Sequence, residues 1–276
     1  MRNRFRHAVP VAVIGIIALC FLAGCEECPD FDKEETGDCT LTGYVLDAMT
    51  GYGVANALVE AGSANGTTNE SGWFFVRNTP CGEVVVEISA DGYIPLETVV
   101  AISDTTEQDF ALVPESEFDD WRFILSWGEH PADLDSHLWV PSGDGYWHVY
   151  YANSGSLVGP PYAQLDVDDV TSYGPETITV RKHGVDNRTE DFYPGEYVYA
   201  VRHYSGQLSI PESGAQVRIY RGNTLVRTIN APQGTASTGW YWYVGRLNCN
   251  TGAWTLVNTY SSSMPVMLAG EVEVAK

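Results

Sequence analysis

The residues of the chain best equipped for chemistry lie in two acidic stretches, Asp133-Leu-Asp135 and Asp166-Val-Asp168-Asp169. Side chains of an extended strand alternate between its faces, so residues two apart point the same way. Each stretch therefore offers a pair of carboxylates to one side. Like charges held that close are costly unless they are protonated, solvated or bridged by a cation. Calcium takes roughly six to eight oxygen ligands, and two such pairs would supply several of them. Asp133, Asp135, Asp166 and Asp168 are accordingly the candidate calcium ligands. The competing expectation is that they solvate loops or cap turns as Asx motifs. Their spacing is not that of an EF-hand loop.

Three histidines, His130, His137 and His148, raise the question of zinc. Glu129-His130 lacks the flanking histidines that a metalloprotease helix carries. His137 would share a strand face with Trp139, the setting of a packed histidine. The chain has no Gly-x-Ser-x-Gly elbow and no Gly-x-x-x-x-Gly-Lys phosphate loop. It is expected not to be an enzyme; a hydrolase using the acidic cluster is the least favoured alternative. Aromatic residues suggest binding instead. Trp147, Tyr150 and Tyr151, with the face shared by Tyr241 and Tyr243, are candidates for stacking on sugar rings. The expected function is non-enzymatic binding of carbohydrate or of a protein partner. The rival is a structural or assembly spacer.

The elements that must position these residues read as β-strands throughout. Arg122–Trp127, Ser136–Val140, Tyr146–Tyr151, Glu176–Val180, Glu196–Tyr204, Gln216–Tyr220, Leu225–Asn230, Trp240–Leu247 and Ala253–Val257 are short and rich in Val, Ile, Tyr, Phe and Trp. Gly222-Asn223 is a hairpin signal, and the last four strands read as one antiparallel meander. Upstream, Thr42–Asp47, Ala57–Ala61, Trp73–Arg77, Glu83–Ala90 and Thr98–Ile102 repeat the pattern between Gly-, Pro- and Asn-rich turns. Val84, Val86 and Ile88 share one face and Glu87 takes the other. The fold class is all-β, with two β-sandwich domains in tandem, residues 39–113 and 121–258. A polar, acidic linker, 114–120, joins them. The tail, 259–276, has no clear assignment, although Met264 to Val274 would serve as an edge strand.

The N-terminus sets the expected compartment. Arg2, Arg4 and Arg6 precede an apolar run, Val11 to Leu22, too short to span a bilayer comfortably. A basic start, a short apolar core and a small-residue cleavage site describe a secretory signal. Leu22-Ala23-Gly24-Cys25 resembles a bacterial lipobox, which implies a signal peptide over 1–24, lipid on Cys25 and an acidic tether over 25–38. Glu26 is not the aspartate associated with inner-membrane retention, so the outer membrane is favoured. The full chain carries 15 Lys+Arg against 36 Asp+Glu, and the signal would remove three arginines and no acid. Nucleic acid is excluded as a partner, because neutralising phosphates requires Lys and Arg. The lipid, not charge, would hold the protein to a membrane. Cys28, Cys39, Cys81 and Cys249 then remain in an oxidising compartment, where three pairings are open.

Residues 39–113 resemble the carboxypeptidase regulatory-like domain. The resemblance rests on Leu41-Thr-Gly-Tyr-Val-Leu-Asp-Ala-Met-Thr-Gly, Val54-Ala-Asn-Ala-Leu-Val, Gly66-Thr-Thr-Asn-Glu-Ser-Gly-Trp-Phe and Asp91-Gly-Tyr. It implies a small seven-stranded sandwich with an accessory role, and positive φ at Gly51 and Gly72, where tight turns fall. It also implies that Cys39 and Cys81 lie at the same end of the sandwich and pair. Tyr52, Trp73 and Tyr93 would be its exposed aromatics. Residues 121–257 resemble an uncharacterised bacterial domain through Leu125-Ser-Trp-Gly-Glu-His-Pro-Ala-Asp-Leu-Asp-Ser-His-Leu, Leu165-Asp-Val-Asp-Asp-Val-Thr-Ser-Tyr-Gly-Pro-Glu-Thr and Tyr193-Pro-Gly-Glu-Tyr-Val. That resemblance implies no activity.

Overall fold

The computed structural model describes residues 38–143, 145–183, 191–268 and 271–273; Cys25 and Cys28 lie outside them. The described residues are all-β, with one short 3-10 turn at Ile210–Glu212.

The first sandwich contains β1 (Cys39–Asp47), β2 (Leu58–Ala61), β3 (Ala64–Thr67), β4 (Trp73–Thr79), β5 (Gly82–Ser89), β6 (Tyr93–Ile94), β7 (Leu96–Ile102), β8 (Thr105–Glu107) and β9 (Phe110–Pro114). One sheet has the order β4-β1-β9-β6, with β8 also on β1; the other is β3-β2-β5-β7. Seven of these strands have four or more residues, and β6 and β8 are shorter additions. In β5 the alternation is complete: Val84, Val86 and Ile88 are buried, and Val85 and Glu87 are exposed. They meet Leu41, Val45, Phe74 and Phe110 from the opposing sheet. Cys39 and Cys81 are disulfide-bonded, with Cα atoms 5.5 Å apart.

The second sandwich contains β10 (Trp121–Ser126), β11 (Asp133–Ser142), β12 (Gly145–Val149), β13 (Gly155–Ser156), β14 (Ala163–Val167), β15 (Glu176–Val180), β16 (Tyr197–Ser205), β17 (Gln216–Arg221), β18 (Thr224–Asn230), β19 (Tyr241–Asn248) and β20 (Ala253–Ser261). Its sheets are β13-β14-β15-β10-β17-β18 and β12-β11-β16-β19-β20. Trp121, Phe123, Leu125, Ile178 and Val217 from one sheet pack on Leu134, Leu138, Tyr199 and Trp242 from the other. The last four strands are not one meander. β17–β18 is a hairpin of the first sheet and β19–β20 a hairpin of the second. The segment 231–240, with Pro232, Gly234 and Gly239, carries the chain across, and the Tyr260 hydroxyl donates to the Pro232 carbonyl at 2.7 Å. β20 continues to Ser261, and β21 (Val266–Leu268) pairs with β22 (Glu271–Glu273) instead of adding an edge to either sheet. Among the described residues Cys249 has no disulfide partner, and it is buried in the core.

The sandwiches are fastened to each other. Ala48, Ala111 and Val113 of the first pack on Ile124 and Tyr220 of the second. Arg218 donates to the Ala111 carbonyl at 2.9 Å and Arg122 to the Pro114 carbonyl at 2.7 Å. The connecting residues are held as well. Asp119 bridges Arg221 and Lys182, and Asp120 pairs with Arg181.

One acid at this end of the first sandwich is costly to ionise. The Asp109 Oδ1 accepts the Tyr44 N–H at 2.7 Å, while burial above all pushes its carboxyl up to about 6. The unfolded chain gives up this proton near pH 4, the folded protein only near pH 6. Its contribution to stability therefore falls as pH rises between those values and is flat above them. Asp109→Asn keeps the acceptor and removes the charge. Urea unfolding should find the variant about 1–2 kcal/mol more stable than the parent at pH 7.5 and no more stable at pH 4. An equal difference at both pH values would rule out the buried charge as its source.

Candidate functional site

The two acidic motifs converge in space, and backbone contacts bring them together. The Trp127 N–H donates to the Tyr173 carbonyl and the Tyr173 N–H returns to the Gly128 carbonyl, both at 3.1 Å. The Ser172 N–H donates to the Ala132 carbonyl at 2.8 Å, and the Trp127 indole N–H to the Pro131 carbonyl at 2.9 Å. Gly174 sits at φ +79° against the Trp127 ring, where an added Cβ would lie 2.9 Å from the indole. Only a glycine passes there without displacing the tryptophan. The chain then enters β15 with Glu176 directed between the sheets.

Glu176 is fully buried. β12 pairs with β11 only over Leu138–Ser142, so the preceding residues of β11 have a free backbone edge on that side. The Ser136 N–H on this edge donates to Glu176 Oε2. One carboxylate oxygen each from Asp133, Asp135 and Glu176 lies within 4.8 Å of the other two. Asp133 Oδ1, Asp135 Oδ2 and Glu176 Oε1 are buried without a hydrogen-bond partner. Burial, reinforced by Asp135, Asp168 and Asp169, pushes Asp133 up to about 6. Asp135 is pushed up to about 7, chiefly by burial, with Arg202 opposing and Asp168 adding to the rise. Burial also lifts Glu176 well above the ordinary carboxylate range, with Asp135 and Asp168 adding to it.

Asp168 lies beyond the end of β14, exposed, with its charge felt by all three buried carboxyls. Asp166 does not join them. A β-bulge between Leu165 and Val167 leaves it without a partner across the ladder, which breaks the alternation that would have aligned it with Asp168. It lies instead beside Thr179, Arg181 and Asp120. Glu176 holds the position expected of Asp166. Its signal was present in the Tyr173-Gly-Pro-Glu run, where a turn sends an acid into a strand of otherwise apolar and β-branched residues.

The aromatic candidates divide. On the outer face of β11, His137 and Trp139 support a stack: Trp139 and His148 rings are 4.4 Å apart, and His148 and Tyr150 4.1 Å, with interplanar angles of 8° and 10°. His137 Nδ1 and His148 Nε2 are 2.8 Å apart. Burial pushes these imidazoles down to about 3 and about 4, so they are neutral, packed residues. Tyr151 meets Tyr150 edge-on at 5.1 Å and Tyr204 at 5.3 Å. Tyr151 and Tyr204 are 41% and 47% exposed, which makes them the solvent side of the array. Arg202 lies over Tyr204 and Tyr241, 5.4 and 5.8 Å from their centroids. Neither Trp147 nor Tyr243 belongs to this surface. Trp147 turns to the inner face and packs on Tyr193 and the core. Tyr243 is buried under a second apolar cluster with Trp139, Val198 and Ala200. In the first sandwich Tyr52 is 78% exposed, Trp73 stacks on Phe75, and the Tyr93 hydroxyl donates to Asp47.

Two solved structures show limited likeness. A type II cohesin–X-dockerin complex from Acetivibrio cellulolyticus is 19% identical, with a TM-score of 0.24, covering 27% of this chain and 56% of the other. The chain thus spans little more than half the length of that neighbour. A protein from Bacteroides uniformis, described as a candidate carbohydrate-binding protein, is 15% identical, with a TM-score of 0.25, covering 71% of this chain and 97% of its own. Residues 40–113 match the carboxypeptidase regulatory-like domain family, so the first sandwich has the sequence pattern of that domain.

Proposed function

We propose that the protein is an exported, lipid-anchored binding protein whose second sandwich captures saccharide on the outer face of β11, β16 and β19. The observation that carries the reading is the exposed edge of the aromatic array. Tyr151 and Tyr204 meet edge-on at 5.3 Å, with Tyr241 and the Arg202 guanidinium adjoining. Sugar rings bind where flat apolar surface lies next to a few fixed polar groups, and tyrosine supplies both. Stacking on His148 and His137 holds Tyr150 in place before any ligand arrives, so little ordering entropy is lost on binding. The protein acts by binding, without turnover. Its place in the envelope is inferred from the lipobox-like Leu22-Ala23-Gly24-Cys25, with the membrane engaged through the lipid. A disulfide in the first sandwich suits an oxidising compartment.

A glycan array probed with the full chain in detergent tests the reading. Specific binding is expected, weakened at least tenfold in Tyr151→Ala and in Tyr241→Ala. Retention on every glycan by both variants, or binding to none by the parent, would remove the saccharide. Release of reducing ends would replace binding by hydrolysis. The spacer reading is favoured by a different observation, the arginines that lock the two sandwiches together. It would gain if the array stayed blank.

A further inference from the structure

We propose that Asp133, Asp135 and Glu176 hold one calcium ion at the edge of the second sandwich, where it ties β11 of one sheet to β15 of the other. Two oxygens that coordinate the same calcium at about 2.3–2.6 Å lie no more than roughly 4.6–5.2 Å apart. One oxygen from each of these residues lies within 4.8 Å of the others, so a single ion can reach all three. The donors come from two sheets of the sandwich, and the loop 170–175 that delivers Glu176 is pinned to the loop 127–132 that delivers Asp133. The arrangement is thus fixed by the fold and not by the charges themselves.

A second observation is independent of the clustering. Asp133, Asp135 and Glu176 are each at most 4% exposed, and each has a buried oxygen with no donor among the described residues. Such groups carry a heavy desolvation cost unless something neutralises them. Among the described residues no Lys or Arg nitrogen lies within ion-pair distance of any of the three. The nearest basic nitrogen is His137 Nε2, 3.9 Å from Asp135 Oδ2 and beyond hydrogen-bond reach, and the other ring nitrogen of His137 is engaged with His148. The Ser136 N–H occupies Oε2 of Glu176 and leaves Oε1 for another ligand.

The donor chemistry selects the ion. All three side chains offer hard carboxylate oxygen, whereas zinc favours His and Cys. Magnesium demands near-ideal octahedral geometry, whereas calcium accepts irregular sites of higher coordination number. Asp168, exposed beside the cluster, would face the ion from the solvent side and leave room for water ligands. This site does not depend on saccharide binding and survives its failure.

Isothermal titration of CaCl2 into the chelator-treated full chain in detergent, with melting curves in parallel, tests the site. One saturable calcium per chain is expected. The melting temperature should rise by roughly 5–10 °C at calcium a hundredfold above its dissociation constant. Glu176→Gln and Asp135→Asn should each weaken binding at least tenfold, while Asp166→Asn binds as the parent does. Should Glu176→Gln fail to fold, Asp135→Asn carries the comparison. No saturable heat in the parent would overturn the proposal and identify the cluster as a proton-sharing one. Full affinity in Asp135→Asn would overturn it as well, as would loss of binding in Asp166→Asn alone.

Discussion

Replacing Cys39 and Cys81 together by alanine should cost the first sandwich about 3–4 kcal/mol, because the bridge closes a loop across a sequence separation of 42 residues. The bridge stabilises mainly by restricting the unfolded chain. Its position explains why little else replaces it. Cys39 opens β1 and pairs across the ladder with Thr79 at the end of β4, and the register slips there, between Cys39 and Thr40. Cys81 follows at the turn into β5, which belongs to the opposite sheet. The bond therefore fastens one sheet to the other at an end where ladder hydrogen bonds are irregular. Calorimetry should show the transition of this sandwich more than about 10 °C lower in the double variant, given the steep dependence of melting on stability in a domain this small. A loss below about 1 kcal/mol would mean that the unfolded chain already holds these ends together.

Gly72→Ala should be nearly as damaging, about 3 kcal/mol, for a reason of shape. Gly72 sits at φ +82°, and an added Cβ would lie 2.5 Å from the Val45 carbonyl oxygen and 2.6 Å from the Gly53 Cα. The Gly72 carbonyl accepts the Val45 N–H at 2.8 Å, so the turn cannot withdraw without breaking that bond. A left-handed conformation costs a non-glycine residue about 1–2 kcal/mol, and overlap with backbone adds a similar amount. Urea unfolding of the variant would measure the sum. A change under about 1 kcal/mol would show that the turn at Asn69–Gly72 shifts freely.

Much of the fold was legible because its signals are local. The alternation of Val84, Val86 and Ile88 predicted which face of β5 is buried, and Gly51 and Gly72 mark turns at positive φ. The parts that escaped are those where a local rule is interrupted. Alternation places Asp166 with Asp168 only if the strand is unbroken, and the bulge in β14 sends them apart. Tyr243 does alternate away from Trp242, but the outer face of its sheet carries an apolar cluster of its own. Outward is not the same as exposed. The Tyr173-Gly-Pro-Glu run signals that Glu176 enters a strand, but nothing in its neighbours along the chain reveals the free edge of β11 that it meets. β3, β6, β8, β9, β13 and β14 have no counterpart among the strands read from the sequence, and the two hairpins at the end of the chain read as one sheet. No periodicity tells which sheet a strand joins once a ten-residue crossover intervenes.

The arginines between the sandwiches have a mechanical consequence. Arg122 and Arg218, both nearly buried, reach across to carbonyls of β9, the last strand of the first sandwich. Residues 115–120 are therefore a brace and not a hinge. Swivelling one sandwich on the other would take the Ala111 carbonyl from Arg218 and the Pro114 carbonyl from Arg122, which would keep only the Gly222 carbonyl of its own sandwich. Torque applied to either half is passed to its neighbour, and a protease nick between them would leave the halves clasped.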